Sequence, residues 1–263
     1  MTRINDLTRI HDGLMAAVEA IRPYTPGSVE YTVKSERGDP LTAADEGADV
    51  ALKNALLREG EGWLSEETAD SPDRLDFRRV WVVDPIDGTR EFVDGIPEWC
   101  ISIGLVEDGL PVAGGILNPE TNELVIGSLE SGVEFNGSPS AVNDRPSLDG
   151  AVILASRSES RRGEWDRFRD APFTVRPCGS VAYKMALVAA GQADGTWTLV
   201  PKSEWDVAAG TALIRAAGGD VTHSDGSEPR FNRPTPRFPN LLAASSALLS
   251  EFREDWLRPS TRE

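Results

Sequence analysis

The segment Trp81-Val82-Val83-Asp84-Pro85-Ile86-Asp87-Gly88-Thr89 runs from apolar residues straight into two aspartates three positions apart. Carboxylates at the end of a buried strand can share a hard divalent cation, because magnesium and calcium take oxygen ligands. Pro85 restricts the backbone between the two acids. Gly88-Thr89 stands where a helix can begin, and the free N–H groups of a first helical turn can hold a phosphate. A metal-and-phosphate site is one reading of these residues. An acidic turn built on Asp87-Gly88 is the other.

Further carboxylates stand at comparable places. Glu66-Glu67 follows the short apolar lead-in Trp63-Leu64-Ser65. Asp206 follows Trp205 and opens the small-residue run Val207-Ala208-Ala209-Gly210. Asp45 closes Leu41-Thr42-Ala43-Ala44-Asp45, early in a predicted helix. Taken singly, each has an ordinary explanation as surface charge, cap or partner of a helix dipole. Other catalytic plans lack residues. His11 and His223 are the only histidines, and no signature of a Ser-His-Asp triad or a zinc site surrounds either. No glycine motif of the Walker or dinucleotide type is present.

In this order, Lys34…Asp45, Glu66-Glu67, Asp84-Pro85-Ile86-Asp87-Gly88-Thr89 and Trp205-Asp206-Val207-Ala208-Ala209-Gly210 resemble the inositol monophosphatase superfamily over roughly residues 28 to 220. The resemblance implies an α/β fold, a layered α-β-α-β-α sandwich of the inositol monophosphatase/fructose-1,6-bisphosphatase type. It implies a phosphomonoesterase with two or three Mg2+ ions per active site, activated by magnesium and inhibited by calcium and lithium. Glu66, Asp84 and the Ile86 carbonyl would hold one ion. Asp84, Asp87 and Asp206 would hold a second. The N–H groups of Gly88 and Thr89 would bind the phosphate, and Asp45 and Thr89, beside Glu66, would orient and deprotonate the attacking water. Glu67 would stand behind Glu66.

The resemblance implies a small phosphate ester as the substrate. In inositol-specific members a glutamate seven residues before the late aspartate contacts the sugar ring, and here that position is Leu199. Glu91-Phe92, Ser156-Arg157-Ser158 and Gly179-Ser180 with Lys184 look like the 3'(2'),5'-bisphosphate nucleotidase branch. On that reading Arg157, Lys184 or Lys202 meets a second phosphate and Leu199 or Trp197 lies against a base, so adenosine 3',5'-bisphosphate is the expected substrate. Inositol or sugar phosphates and histidinol phosphate are the alternatives. A non-catalytic nucleotide- or metal-sensing module of the same fold is the alternative of another class.

Elements must be found to position these residues. Ile4, Leu7, Ile10, Leu14, Val18 and Ile21 recur at helical spacing, and Pro23 ends that helix. A second helix is predicted from about Thr42 to Arg58. Val80–Val83 reads as a buried strand, followed by an antiparallel meander of 100–106, 112–117 and 123–128. Beyond the polar stretch 143–150, strands at 152–155, 196–200 and 241–244 alternate with helices at 181–190, 205–217 and 246–257. Two subdomains follow, 1–146 with most of the metal ligands and 147–263 completing the site, with the site in the cleft between them.

Composition bounds the partners. The 263 residues carry a formal net charge of −16. Such a field repels nucleic acid polymers and anionic membranes, while bound cations reverse its sign locally for a phosphate ester. No apolar run is long enough to span a bilayer, and Met1–Gly13 has no apolar core of a signal peptide. A cytoplasmic location and a homodimer are the expectations. The two cysteines, Cys100 and Cys178, suit neither a disulfide framework nor a metal cluster.

Overall fold

The computed structural model describes residues 3–34, 39–198 and 200–255. Leu199 and the expected end of the last helix at 256–257 lie outside the described residues. Helix α1 (Arg3–Ile21) buries Ile10, Leu14, Ala17 and Ile21, an apolar stripe of helical period. Strands β1 (Tyr31–Val33) and β2 (Pro40–Thr42) form an antiparallel pair leading into α2 (Ala43–Leu56). Thr42 caps α2 in a reciprocal box with Asp45, so the helix start and the Asp45 carboxylate are set by one motif.

The large sheet has seven strands in sequence order: β3 (Gly62–Ser65), β4 (Arg79–Asp87), β5 (Cys100–Glu107), β6 (Leu110–Asn118), β7 (Glu123–Ser128), β8 (Gly132–Phe135) and β9 (Ser138–Ser140). Only β3 and β4 run parallel; every later pair is antiparallel. The short helix α3 (Thr89–Asp94) leaves the end of β4. A second sheet of five strands follows, built from β10 (Val152–Ser156), β11 (Thr174–Cys178), β12 (Gly195–Thr198), β14 (Asp220–Thr222) and β16 (Leu241–Ala244), in the order β11-β10-β12-β16-β14. Helices α4 (Arg157–Arg161), α5 (Val181–Ala189), α6 (Glu204–Ala216) and α7 (Ser246–Asp255) connect or cover these strands. The two-residue strands β13 (Lys202–Ser203) and β15 (Arg237–Phe238) pair with each other.

The core explains the layering. One apolar cluster joins α1 and α2 to one face of the large sheet. A second holds α5 and α6 between the two sheets. A third packs α7 and the aromatic group of Trp165, Phe168 and Phe252 on the outer face of the smaller sheet. The result is the expected α-β-α-β-α sandwich. Nine strands among the described residues escaped the sequence reading: β1, β2, β3, β8, β9, β11, β13, β14 and β15, all but β11 of two to four residues. β8 and β9 are short and without alternation, and β11 holds Pro177 within a mostly exposed strand at the sheet edge. Proline lacks the N–H that a ladder needs and is tolerated at such an edge. Pro85 likewise does not end β4, which runs on to Asp87 through a register shift against β5 between Asp84 and Asp87.

Helix α6 carries Asp206 and crosses the large sheet through two glycines. A Cβ on Gly104 would lie 2.8 Å from the Ala209 nitrogen, and one on Gly114 would lie 2.8 Å from the Ala209 carbonyl oxygen. Backbone cannot yield as a flexible side-chain end can, so an added methyl displaces the helix. Gly104→Ala is expected to cost about 1–3 kcal/mol of stability, read by urea denaturation. An unchanged midpoint would show that α6 is not seated through this contact.

Candidate active site

Three elements bring four carboxylates together. Glu66 lies just past the end of β3, Asp84 and Asp87 lie on the last turns of β4, and Asp206 is in the first turn of α6. Ligand oxygens of Glu66, Asp84 and Asp206 all fall within 4.8 Å of one another. Among the described residues neither Asp84 oxygen has a hydrogen-bond partner, although the residue is 1% exposed. Burying a carboxylate without compensation is strongly unfavourable. Burial, then the charges of Glu66, Asp87 and Asp206, push the Asp84 carboxyl well above its usual range. Asp206, which accepts the Ser203 N–H at 2.8 Å, is pushed up to about 7, chiefly by burial and next by Asp87. A cluster of oxygen-only donors that destabilises its own charges suits a hard divalent cation, which supplies the missing positive charge.

Asp87 is oriented differently. Its Oδ2 accepts the Ser180 hydroxyl at 2.7 Å and the Ala182 N–H, both from the start of α5. Oδ1 has no hydrogen bond among the described residues and stays available. Burial pushes this carboxyl up while those two donors oppose the shift.

Beside the carboxylates sit Thr89 and Asp45. Thr89 Oγ lies 3.1 Å from Asp45 Oδ1 and 3.0 Å from the Ile86 carbonyl oxygen. Asp45 Oδ2 accepts from the Thr42 N–H at 2.8 Å and the Thr42 hydroxyl at 2.6 Å. Burial pushes the Asp45 carboxyl up, and the Thr42 hydrogen bonds restrain the shift. Gly88 caps α3 in the left-handed region, at φ 97°, and a Cβ there would crowd the Glu98 carbonyl and Trp99 at 3.2 Å. Only glycine fits this turn.

Lys34 closes one side. Its ammonium lies 2.7 Å from Glu66 and 2.5 Å from Glu67. Partial burial works against its charge, yet the two glutamates hold it above the usual lysine range. Glu67 is pushed up to about 7 by burial, with Lys34 opposing.

Lys34, Glu66, Asp87, Thr89 and Asp206 border a cleft of about 360 Å3, whose walls also include Arg157, Gly179, Ser180, Lys184 and Lys202. The structure gives two of the three cations read as phosphate contacts other partners. Arg157 pairs with Glu98, whose Oε2 also accepts the Gly179 N–H at 2.7 Å. Lys184, 2% exposed, donates to the carbonyls of Ser180 and Cys178, and burial pushes its ammonium pKa down. The Lys202 ammonium has no hydrogen bond or ion pair among the described residues, although its charge acts on Asp206. Trp197 corrects an expectation: it is 2% exposed and stacks on Phe252 at 3.8 Å, so it is core and offers no surface to a base. Its strand turns that face toward α7. Glu98, which the sequence reading passed over, has no motif around it; only the fold brings it to Arg157 and Gly179. Both cysteines are buried and free.

The pattern of the Inositol monophosphatase family matches residues 7–257. The chain belongs to the inositol monophosphatase family. Within the family, it is 37% identical over 200 residues to an inositol-1-monophosphatase of Mesorhizobium japonicum, covering 73% of this chain and 74% of that one. It is 33% identical over 225 residues to the Nus factor SuhB of Xylella fastidiosa, covering 82% and 80%. The solved inositol monophosphatase of Anabaena superposes with a TM-score of 0.78 at 27% identity, covering 96% of each chain. Family membership together with the carboxylate cluster identifies the chain as a metal-dependent phosphomonoesterase. No helix among the described residues is long and apolar enough to cross a membrane.

Proposed function

We propose that the chain hydrolyses monophosphate esters of polyols, inositol phosphate among them, with magnesium as the cofactor. The observation that carries the substrate class is the engagement of Arg157 by Glu98 and of Lys184 by backbone carbonyls. A bisphosphate nucleotide needs cations for its second phosphate, and two of the three candidates are already occupied. The relatives named inositol-1-monophosphatase support the same reading. Leu199, in place of the glutamate of inositol-specific members, favours tolerance of several polyols over strict selection of one.

Glu66, Asp84, Asp87, Asp206 and the Ile86 carbonyl would hold the magnesium ions. When bound, magnesium supplies neutralisation of the phosphate charge in a reaction that depends on positioning and electrostatics. The chain's own residues do the rest. The N–H groups of Gly88 and Thr89 hold the phosphate at the cleft floor. Thr89 donates its hydroxyl proton to Asp45 Oδ1, which leaves the oxygen lone pairs to take a proton from the attacking water. Asp45, raised by burial, accepts the proton passed along this pair. The box with Thr42 keeps the accepting Asp45 carboxylate in place.

One specific observation keeps a second reading alive: Lys202 lies on the cleft wall without an ion pair among the described residues. It would suit the second phosphate of adenosine 3',5'-bisphosphate. Phosphate release measured with magnesium, side by side for inositol 1-phosphate, a sugar monophosphate and the bisphosphate, separates the two. The expected result is a kcat/KM at least about tenfold higher for the monophosphates, the worth of one charged hydrogen bond left unmade. The reverse ratio would overturn the polyol reading and leave the phosphomonoesterase intact.

A further inference from the structure

Lys184 is the buried charge that the proposed reaction leaves without a task. The residue is 2% exposed, and among the described residues its ammonium donates only to main-chain carbonyls, those of Ser180 and, at 3.5 Å, Cys178. Burying an ammonium against neutral acceptors is unfavourable and calls for a compensating purpose. The carbonyl it grips belongs to a strained residue. Ser180 is in the left-handed region at φ 50°, which a side chain other than glycine adopts at an energetic cost. Such a conformation persists only when the surroundings hold it.

The strained turn aims one hydroxyl. Ser180 Oγ accepts the Tyr183 N–H at 2.9 Å, so its proton is directed outward, to Asp87 Oδ2 at 2.7 Å. The Ala182 N–H meets the same oxygen. With Oδ2 doubly held, the carboxylate cannot rotate, and Oδ1 is the oxygen left for a ligand. Tyr183 extends the brace on the far side, where its hydroxyl donates to Glu123 in the large sheet.

Asp87 lies close enough to Asp84 and Asp206 for its charge to act on both. We propose that Lys184 is a positioning residue for the metal site: it locks Ser180 in the positive-φ turn that holds Asp87 by Oδ2 and leaves Oδ1 free. This rests on the metal reading of those carboxylates. It assigns Lys184 to the ligand scaffold and removes it from the substrate phosphate. Partners behind a metal ligand commonly change affinity by about ten- to a hundredfold.

The test uses the metal-free full chain and Mn2+ as the probe, with free Mn2+ read by electron paramagnetic resonance. The variants are Lys184→Met, Ser180→Gly, Asp87→Asn and the double variant Lys184→Met/Asp87→Asn. Lys184→Met is expected to weaken Mn2+ binding by about tenfold. The same loss is expected for Ser180→Gly, which relieves the backbone strain yet deletes the hydroxyl. In the Asp87→Asn background the Lys184→Met effect disappears, because the relay has lost its end. KM for inositol 1-phosphate at saturating metal stays within about twofold of the unaltered protein.

Unchanged Mn2+ affinity in Lys184→Met overturns the proposal, as does a selective rise in KM, which would place the ammonium on the phosphate. An additive loss in the double variant overturns it too, since Lys184 would then act independently of Asp87. Should Lys184→Met not fold, Ser180→Gly decides alone: full Mn2+ affinity there overturns the relay. Absence of Mn2+ binding by the unaltered chain would overturn the metal reading itself, an outcome distinct from all of these.

Discussion

Asp84→Asn is expected to lower kcat/KM by about a thousandfold or more, roughly 4 kcal/mol of transition-state stabilisation, while the fold survives. Among the described residues Asp84 is the one carboxylate with both oxygens buried and unpaired, and it clusters with Glu66 and Asp206. An amide has the same volume but brings no charge to neutralise a cation. It also removes a carboxyl that burial and three neighbouring acids hold well above its usual range. The metal-free variant should therefore melt no lower than the unaltered protein. Phosphate release at saturating magnesium, paired with thermal melting, checks both halves. Activity within tenfold of normal would sink the assignment of Asp84 as a metal ligand. A collapse of the melting temperature would show that the residue holds the fold.

Magnesium affinity is expected to fall by about tenfold for each pH unit below about 7, for every proton the cation must displace. Asp206 is pushed up to about 7, and burial with the neighbouring acids raises Asp84 well above its usual range, so near pH 6 the cluster holds protons that metal binding has to release. Isothermal titration calorimetry in buffers of different ionisation enthalpy counts those protons. Affinity independent of pH between 6 and 8 would contradict the raised carboxyls.

The same shifts set the sign for the metal-free fold. A carboxyl raised in the folded state binds more protons there than in the unfolded chain. Its contribution to stability is therefore fully present below the unfolded value near 4 and is lost as pH rises through about 7. Asp206→Asn removes that loss. At pH 8 the metal-free variant should gain on the order of 1 kcal/mol, or roughly 2–4 °C, and at pH 5 the difference should shrink. A variant less stable than the unaltered chain at pH 8 would mean that the Ser203 hydrogen bond outweighs the charge repulsion.

Much of the site was legible because its residues sit at punctuated places in the chain. Asp84 and Asp87 end an apolar strand, Asp45 and Asp206 open helices, and Gly88 marks a turn that no other residue fits. These positions depend on local backbone geometry, and local geometry is written in short runs of sequence. The meander of β5, β6 and β7 was legible for the same reason: alternating apolar residues between turn residues specify pairing at short range. β8, β9 and β11 were not, since they lack alternation and are held by neighbours already in place.

Side-chain partners were decided only by the tertiary structure. Arg157, Lys184 and Trp197 all carry types that suit a nucleotide pocket. Glu98 reaches Arg157 across 59 residues of chain, the Ser180 turn folds back on Lys184, and Phe252 covers Trp197. Charge and aromatic surface can be used once, and which neighbour uses them depends on distances between remote segments. The sequence by itself determined the carboxylates, the order in which strands and helices present them, and therefore the family. The fold decided that Ser180 and the start of α5 turn Asp87, that Lys184 serves the backbone, and which cations remain for a substrate, because those outcomes depend on packing two sheets around α5 and α6.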